Sequence, residues 1–351
     1  MQRVYVLDSG SYLRKSGDNL ALVRDGSVVE EINIKGITQL ILMGYTSISG
    51  AVLRVLMENR IETVLLNPRG RFQGRLSVDE HKHVTRRKNQ YIKLSDPKFV
   101  LNTARSLIQG KMRTLSRFLA LRGTQFGIDS LFSRAAAIKA MERALFDPHM
   151  DIDALRGLEG NATKIYFDGF HLMLRNPAFS FKGRNRRPPL DPVNALLSFV
   201  YTLLTGEVLT AIKIAGLDPY LGALHVEDYG RPSLACDLVE EWRVFLGDRL
   251  VLGLLNRKAM SNEDFVFRIV KDHDFIDEDD LKKKRPVEMK PLACRAFLDA
   301  YEKWMSQRVS YPETGLKISY RSAILEQIRK FEKYIEGEED IYNPFPWSQI
   351  N

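Results

Sequence analysis

The period of the apolar residues changes once along this chain, near residue 97, and that change bounds what it can fold into. From Arg3 to about Leu76, short runs (VYVLD, YLRKS, NLALVRD, SVVEEINI) alternate apolar and polar side chains. That two-residue period belongs to half-buried strands. Gly10, Gly17 and Gly26 punctuate the runs, and Asp25-Gly26 is a hairpin signal. ITQLILMG predicts a buried strand, residues 48–59 a helix with Val52, Leu53 and Leu56 inward, and IETVLLN a further strand. From Pro97 the period is 3.6 nearly throughout, and helices are expected over 97–122, 132–146, 151–174, 193–215, 261–273, 290–308 and 319–336. The fold class is therefore α+β. It divides into a small N-terminal β-rich domain (1–77), a basic linker or the start of a basic helix (78–96), a larger all-α domain (97–335) and an acidic tail (336–351).

Composition narrows the function classes. Hydrophobic content of 44% and charged content of 27% describe an ordinary globular protein. Met1-Gln2-Arg3 runs straight into strand-like text, so no secretory leader is expected, and the longest apolar run, 193–204, is too short to span a bilayer. Two cysteines, Cys236 and Cys294, fit a reduced, cytoplasmic protein with neither a disulfide framework nor a cysteine metal site. The formal charge of +8 points to a polyanionic partner. Its distribution is more telling: residues 69–93 hold eight Lys/Arg against two Asp/Glu, and four of the six residues 182–187 are basic. Such clustering is expected of a nucleic-acid binder.

Candidate chemistry concentrates in residues 216–242, GLDPYLGALHVEDYGRPSLACDLVEEW. His225 follows an apolar helix on a loop. Pro232 holds Arg231 extended, and Ser233 is placed to cap a new helix. Asp237 and Glu240 then stand at i and i+3, neighbours on its surface. Leu234, Leu238, Trp242 and Phe245 form one apolar stripe, and Ala235, Val239 and Val244 fill much of the rest. A helix apolar nearly all round is buried, and buried carboxylates need a cation or bound protons.

Four texts in this order behind a small β domain, LEGNATKIYF, RNRRPPLDPVNALLSFVYTLL, GLDPYLGALH and RPSLACDLVEEWR, resemble the CRISPR-associated endonuclease/integrase family. This is the metal-dependent subunit of the spacer-acquisition pair. The likeness covers roughly residues 1–335. It implies a metal held by Glu159, His225 and Glu240, with Asp237 either a further ligand or reaching the ion through water. It also implies a homodimer, two of which flank a dimer of a small ferredoxin-like companion. The reaction implied is attack by a DNA 3′-hydroxyl on a phosphodiester at a CRISPR repeat.

Carboxylates with one imidazole suit a hard cation, Mg²⁺ or Mn²⁺, with the imidazole favouring Mn²⁺. Zinc is the rival, but no HExxH supports it. Lys182, Arg184, Arg186 and Arg187 are candidate phosphate contacts, and Tyr166 and Tyr201 are candidate stacking partners for splayed bases, with helix packing as the alternative for both. Two other functions stay open. One is a transposon-encoded or DNA-repair nuclease-integrase on the same fold. The other is a non-catalytic DNA-binding scaffold.

Overall fold

The structure is a computed structural model that describes residues 2–8, 10–67, 70, 72–76, 83–185, 188–226, 228–267 and 286–349. Two compact units divide the chain, Met1–Glu80 and His81–Asn351.

The first unit contains two four-stranded sheets. In one, β1 (Gln2–Val6), β5 (Ile37–Met43), β7 (Glu62–Leu66) and β8 (Phe72–Leu76) are neighbours in that order. Strand β5 lies between β1 and β7 and is parallel to both. That explains its nearly continuous apolar text, since central parallel strands are covered on both faces. The other sheet runs β4 (Ser27–Asn33), β3 (Asn19–Arg24), β2 (Tyr12–Ser16), β6 (Ser47–Ile48). Asp25 and Gly26 join β3 to β4 with φ of 49° and 79°. Both are left-handed, as a type I′ turn requires. Helix α1 (Gly50–Glu58) is capped by Ser49, whose side chain accepts from the Val52 amide. It drives Val52, Val55 and Leu56 into a core with Val4, Leu13, Leu40 and Leu42.

The second unit is built on helices. α2 (Val84–Leu94) leads into α3 (Pro97–Phe126), which starts on an Asp96 cap with proline in the first turn and stops at Gly127, φ 65°. α4 (Asp129–Met141) and α5 (Ile152–Met173) pack on α3. α6 (Pro192–Ile214), α7 (Ser233–Trp242) and α8 (Arg249–Asn256) follow, and α9 (Pro291–Met305) and α10 (Tyr320–Glu336) complete the helical frame.

Two expectations need correction. Helix α6, at 23 residues, is long and apolar enough by length and composition to cross a membrane, which the shorter run 193–204 concealed. It nevertheless sits in the core: 61% of its most apolar window is buried, and so are its Asn194 and Glu207. The helix expected over 261–273 is a single turn, Asn262–Asp264, closed by reciprocal Ser261–Asp264 hydrogen bonds. Strand β9 (Phe265–Phe267) follows, paired antiparallel with β10 (Val287–Met289), and residues 268–273 lie outside the described set. A small hairpin, β11 (Arg308–Ser310) with β12 (Lys317–Ser319), separates α9 from α10.

Of the two readings of the basic stretch 78–96, linker or start of a basic helix, the structure has a helix, α2, and the buried Gln90 is the reason it is fixed. Its amide donates to the Asp218 and Leu221 carbonyls, and its oxygen accepts from the Asp218 amide at 2.7 Å. Arg86 pairs with Glu332 and Glu336 on α10. The acidic tail is also packed, for its Tyr342, Phe345 and Trp347 are buried. Trp347 stacks on Phe245 with ring centroids 4.6 Å apart, and Phe345 lies 4.6 Å from Trp242.

Candidate active site

The His225 loop is held from three sides. From α2, Gln90 fixes the carbonyls at 218 and 221. From α5, Arg156 donates to the Leu224 carbonyl at 2.8 Å. From α7, the buried Asp237 carboxylate accepts from three consecutive amides: Ala223 (2.7 Å) and Leu224 (3.0 Å) at Oδ2, and His225 (2.9 Å) at Oδ1. Oδ1 also lies 2.7 Å from His225 Nδ1. A carboxylate so placed favours Nδ1 as the hydrogen-bond donor and turns Nε2 toward any ligand. Gly222 makes this cradle possible, for a Cβ there would sit 2.5 Å from Asp237 Oδ2.

Both Asp237 oxygens are thus engaged, by four donors in all. The carboxylate orients the histidine. Ser233 differs from expectation. Pro232 occupies the cap position, and the Ser233 hydroxyl donates to the Val226 carbonyl, tying the far end of the loop to α7.

Glu240, one turn beyond Asp237, is buried on the same helix. Glu159 on α5 is more open, and Thr163 donates to it at 3.1 Å. Between the two carboxylates sits the ammonium of Lys111 from α3, paired with Glu159 and 2.8 Å from Glu240 Oε2. Arg243 pairs with the other oxygen of Glu240. Burial alone would raise the Glu240 pKa, but Arg243, Lys111 and His225 outweigh it and hold the carboxyl down to about 2.

Among the described residues no three His, Cys, Asp or Glu side chains converge as a ready-made metal cluster. The donor set nonetheless fits a hard divalent ion. Two carboxylates already share one cation, and the His225 imidazole, whose charge acts on Glu240, presents a nitrogen fixed by its carboxylate partner.

The candidate DNA contacts fare differently. Tyr166 is fully buried and donates to Asp248 Oδ2 at 2.7 Å, so no base reaches its ring. Tyr201 donates to the other Asp248 oxygen at 2.6 Å. The guanidiniums of Arg243 and Arg184 lie 4.9 and 5.4 Å from the Tyr201 ring centre. Arg184 also donates to Asn194 Oδ1 at 2.8 Å and to Ser198 at 3.1 Å, clamping the 176–191 loop on the start of α6. It is a half-buried staple. Lys182 is exposed, while Arg186 and Arg187 lie outside the described residues.

Lys111, Arg243, Asp248, Gly222 and Gln90 carry no sequence signal of their own. Asp248 ends a π-helical turn, Arg243–Asp248, that directly follows α7. Such turns recur at functional sites. Burial pushes its carboxyl up to about 6 against the opposing pull of Tyr201, Tyr166, Arg184 and Arg243. The native state therefore holds a proton that the unfolded chain releases near pH 4. Stability should fall by up to about 3 kcal/mol as pH rises from 4 to 6 on account of this group. In Asp248→Asn that component of the slope should vanish, as read by urea melts across this range. An unchanged slope would show that Asp248 does not titrate there.

Fold and site together define a two-domain α+β protein with a carboxylate–histidine centre on its helical unit. Residues 4–302 match the family described as CRISPR associated protein Cas1. A CRISPR-associated endonuclease Cas1 of Thermus thermophilus is 35% identical over 344 residues, covering 97% of this chain and 96% of that one. The chain belongs to the Cas1 family, and the resemblance drawn from the four motifs is borne out. Two solved structures share the fold. A Cas1 protein from Thermotoga maritima superposes with a TM-score of 0.79 at 23% identity, over 97% of this chain and 99% of its own. A casposase bound to integration product gives 0.81 at 21%, over 99% and 94%.

Proposed function

We propose that this chain is a metal-dependent DNA endonuclease and integrase of CRISPR adaptation, inserting short DNA fragments at CRISPR repeats. Family membership supports the class of reaction, and its relatives are named endonucleases. The observation that carries the reading to particular residues is the pair of carboxylates, Glu159 and Glu240, sharing a cation, with an imidazole pinned by Asp237 one helical turn from Glu240.

Glu159, Glu240 and Nε2 of His225 would hold Mg²⁺ or Mn²⁺. When bound, the ion neutralises phosphate charge and favours the ionised form of an attacking hydroxyl. The 3′-oxygen of the fragment bonds to phosphorus, the bond from phosphorus to the departing 3′-oxygen breaks, and the proton lost by one hydroxyl is balanced by that gained by the other. One phosphodiester replaces another, so no nucleotide is consumed; water in place of the hydroxyl gives cleavage. Glu159 and His225 form the open edge of the centre, with side chains about a quarter exposed, and the phosphodiester meets the protein there. Asp237 keeps the imidazole in one tautomer and orientation throughout.

Within this proposal the partners are DNA, a second copy of the chain and a small ferredoxin-like companion. The second copy would pair through the β unit, where β4 is a sheet edge with Val28 and Val29 exposed. Among the described DNA candidates only Lys182 keeps its place as a phosphate contact.

The experiment is strand transfer of a labelled duplex with free 3′-hydroxyls into a repeat-bearing plasmid, with Mn²⁺ and the companion subunit. Chelator should abolish the product and leave the melting temperature within a few degrees, because the helical core is buried independently of the ion. Activity restored by Zn²⁺ alone, with collapse of stability on chelation, would overturn the hard-cation reading.

A further inference from the structure

Lys111 is the least expected member of the centre. Its side chain comes from the middle of α3 and is only 9% exposed, yet its ammonium touches both carboxylates proposed to hold the metal. With Arg243 on Glu240, two acids face two bases, and the cluster is neutral without any ion. Among the described residues no three-ligand group converges, and the ammonium occupies the space between Glu159 and Glu240.

We propose that Lys111 is a resident counter-ion that a divalent cation must displace from Glu159 and Glu240 to bind. The inference rests on the metal reading of those two residues given above. The residue type matters here. An ammonium is a compact point charge on a flexible stem, and it gives up a carboxylate more readily than a forked guanidinium does. The way in is from the Glu159 side, whose side chain is 26% exposed against 5% for Glu240. A divalent ion taking those oxygens releases the ammonium, which then adds its charge to a site facing phosphodiester.

The test uses the full-length protein and MnCl₂ without DNA, so that nothing depends on turnover. Binding is measured by calorimetry, and the melting temperature is recorded in chelator and in Mn²⁺. In Lys111→Met the two carboxylates lose their shared cation, so the metal-free protein should melt lower. Mn²⁺ should bind more tightly, on the order of tenfold, the scale on which groups touching metal-binding side chains alter affinity. The Mn²⁺-induced rise in melting temperature should grow accordingly. Lys111→Arg keeps the charge in a form that bridges two carboxylates, and Mn²⁺ should bind it more weakly than wild type. This second variant decides the matter if the first does not fold.

A lysine with a purely structural role would lower stability in Lys111→Met but leave Mn²⁺ affinity unchanged or weakened. Either result overturns the proposal. Failure of the underlying metal reading looks different: wild-type protein would bind Mn²⁺ no better than Glu159→Gln.

Discussion

Glu159→Ala, His225→Ala and Glu240→Ala should each reduce strand transfer on the order of 10³-fold or more, and the double variants should be no worse than the singles. Residues that serve one ion lose function together, so their effects do not add. The three stand on three different supports, α5, the 216–232 loop and α7, and no single packing defect would link them. DNA binding should survive each change, because removing a carboxylate removes repulsion toward phosphate. Asp237→Asn is the instructive fourth case. Its side-chain NH₂ would face backbone amides that now donate to a carboxylate oxygen, leaving donors opposed in a buried place. That conflict costs about 1–3 kcal/mol of stability. With His225 no longer pinned, activity should fall roughly 10- to 100-fold and not to background. Rates from the plasmid assay, with filter binding alongside, check all four. Integration at the wild-type rate by His225→Ala would remove the active-site assignment, and lost DNA binding in all three alanine variants would make these residues structural.

How much of this was legible depended on whether the signal was local. The strand and helix periods, the Asp25-Gly26 turn and the burial of α7 follow from neighbours in sequence, and the structure agrees with them except over 261–267, where a turn and a strand stand in place of a helix. Glu159, His225, Asp237 and Glu240 came from motif order, yet the division of labour among them did not. Asp237 differs from Glu240 only in which donors surround it, and those donors include backbone amides of a loop twelve to fourteen residues away. Lys111 was invisible because it is one cation among 52 Lys and Arg, and its partners are 48 and 129 residues off. Tyr166 and Tyr201 looked like stacking platforms because a tyrosine on a helix reads the same from either side. Asp248, 82 and 47 residues away, turns both inward. The tail misled through composition. Glu336, Glu338, Glu339 and Asp340 dominate its charge, while its structural role belongs to three aromatics further on.

Those aromatics carry the second large effect, and it falls on stability. Trp347 packs on Phe245 and Trp242, and its indole donates to the Glu241 carbonyl at 2.7 Å. Tyr342 donates to the Glu241 side chain, which also accepts from the Phe345 amide at 2.7 Å. Pro344 lies against Gly110 on α3, where a Cβ would fall 2.4 Å from the proline ring. The segment thus braces α3 beside Lys111 and α7 beside Glu240, the two helices whose separation sets the Lys111–Glu240 pair. Trp347→Ala should cost about 3–5 kcal/mol, the usual penalty for emptying a buried aromatic site, and lower the melting temperature by roughly 10 °C. Removing residues 341–351 should go further and prevent the helical unit from folding stably, since a domain's whole stability is only about 5–15 kcal/mol. Gly110→Ala separates bracing from bulk burial: it keeps every aromatic but displaces Pro344, so strand transfer should drop more than stability does. Melting within about 1 °C of wild type for Trp347→Ala would show that the segment is a surface strap after all.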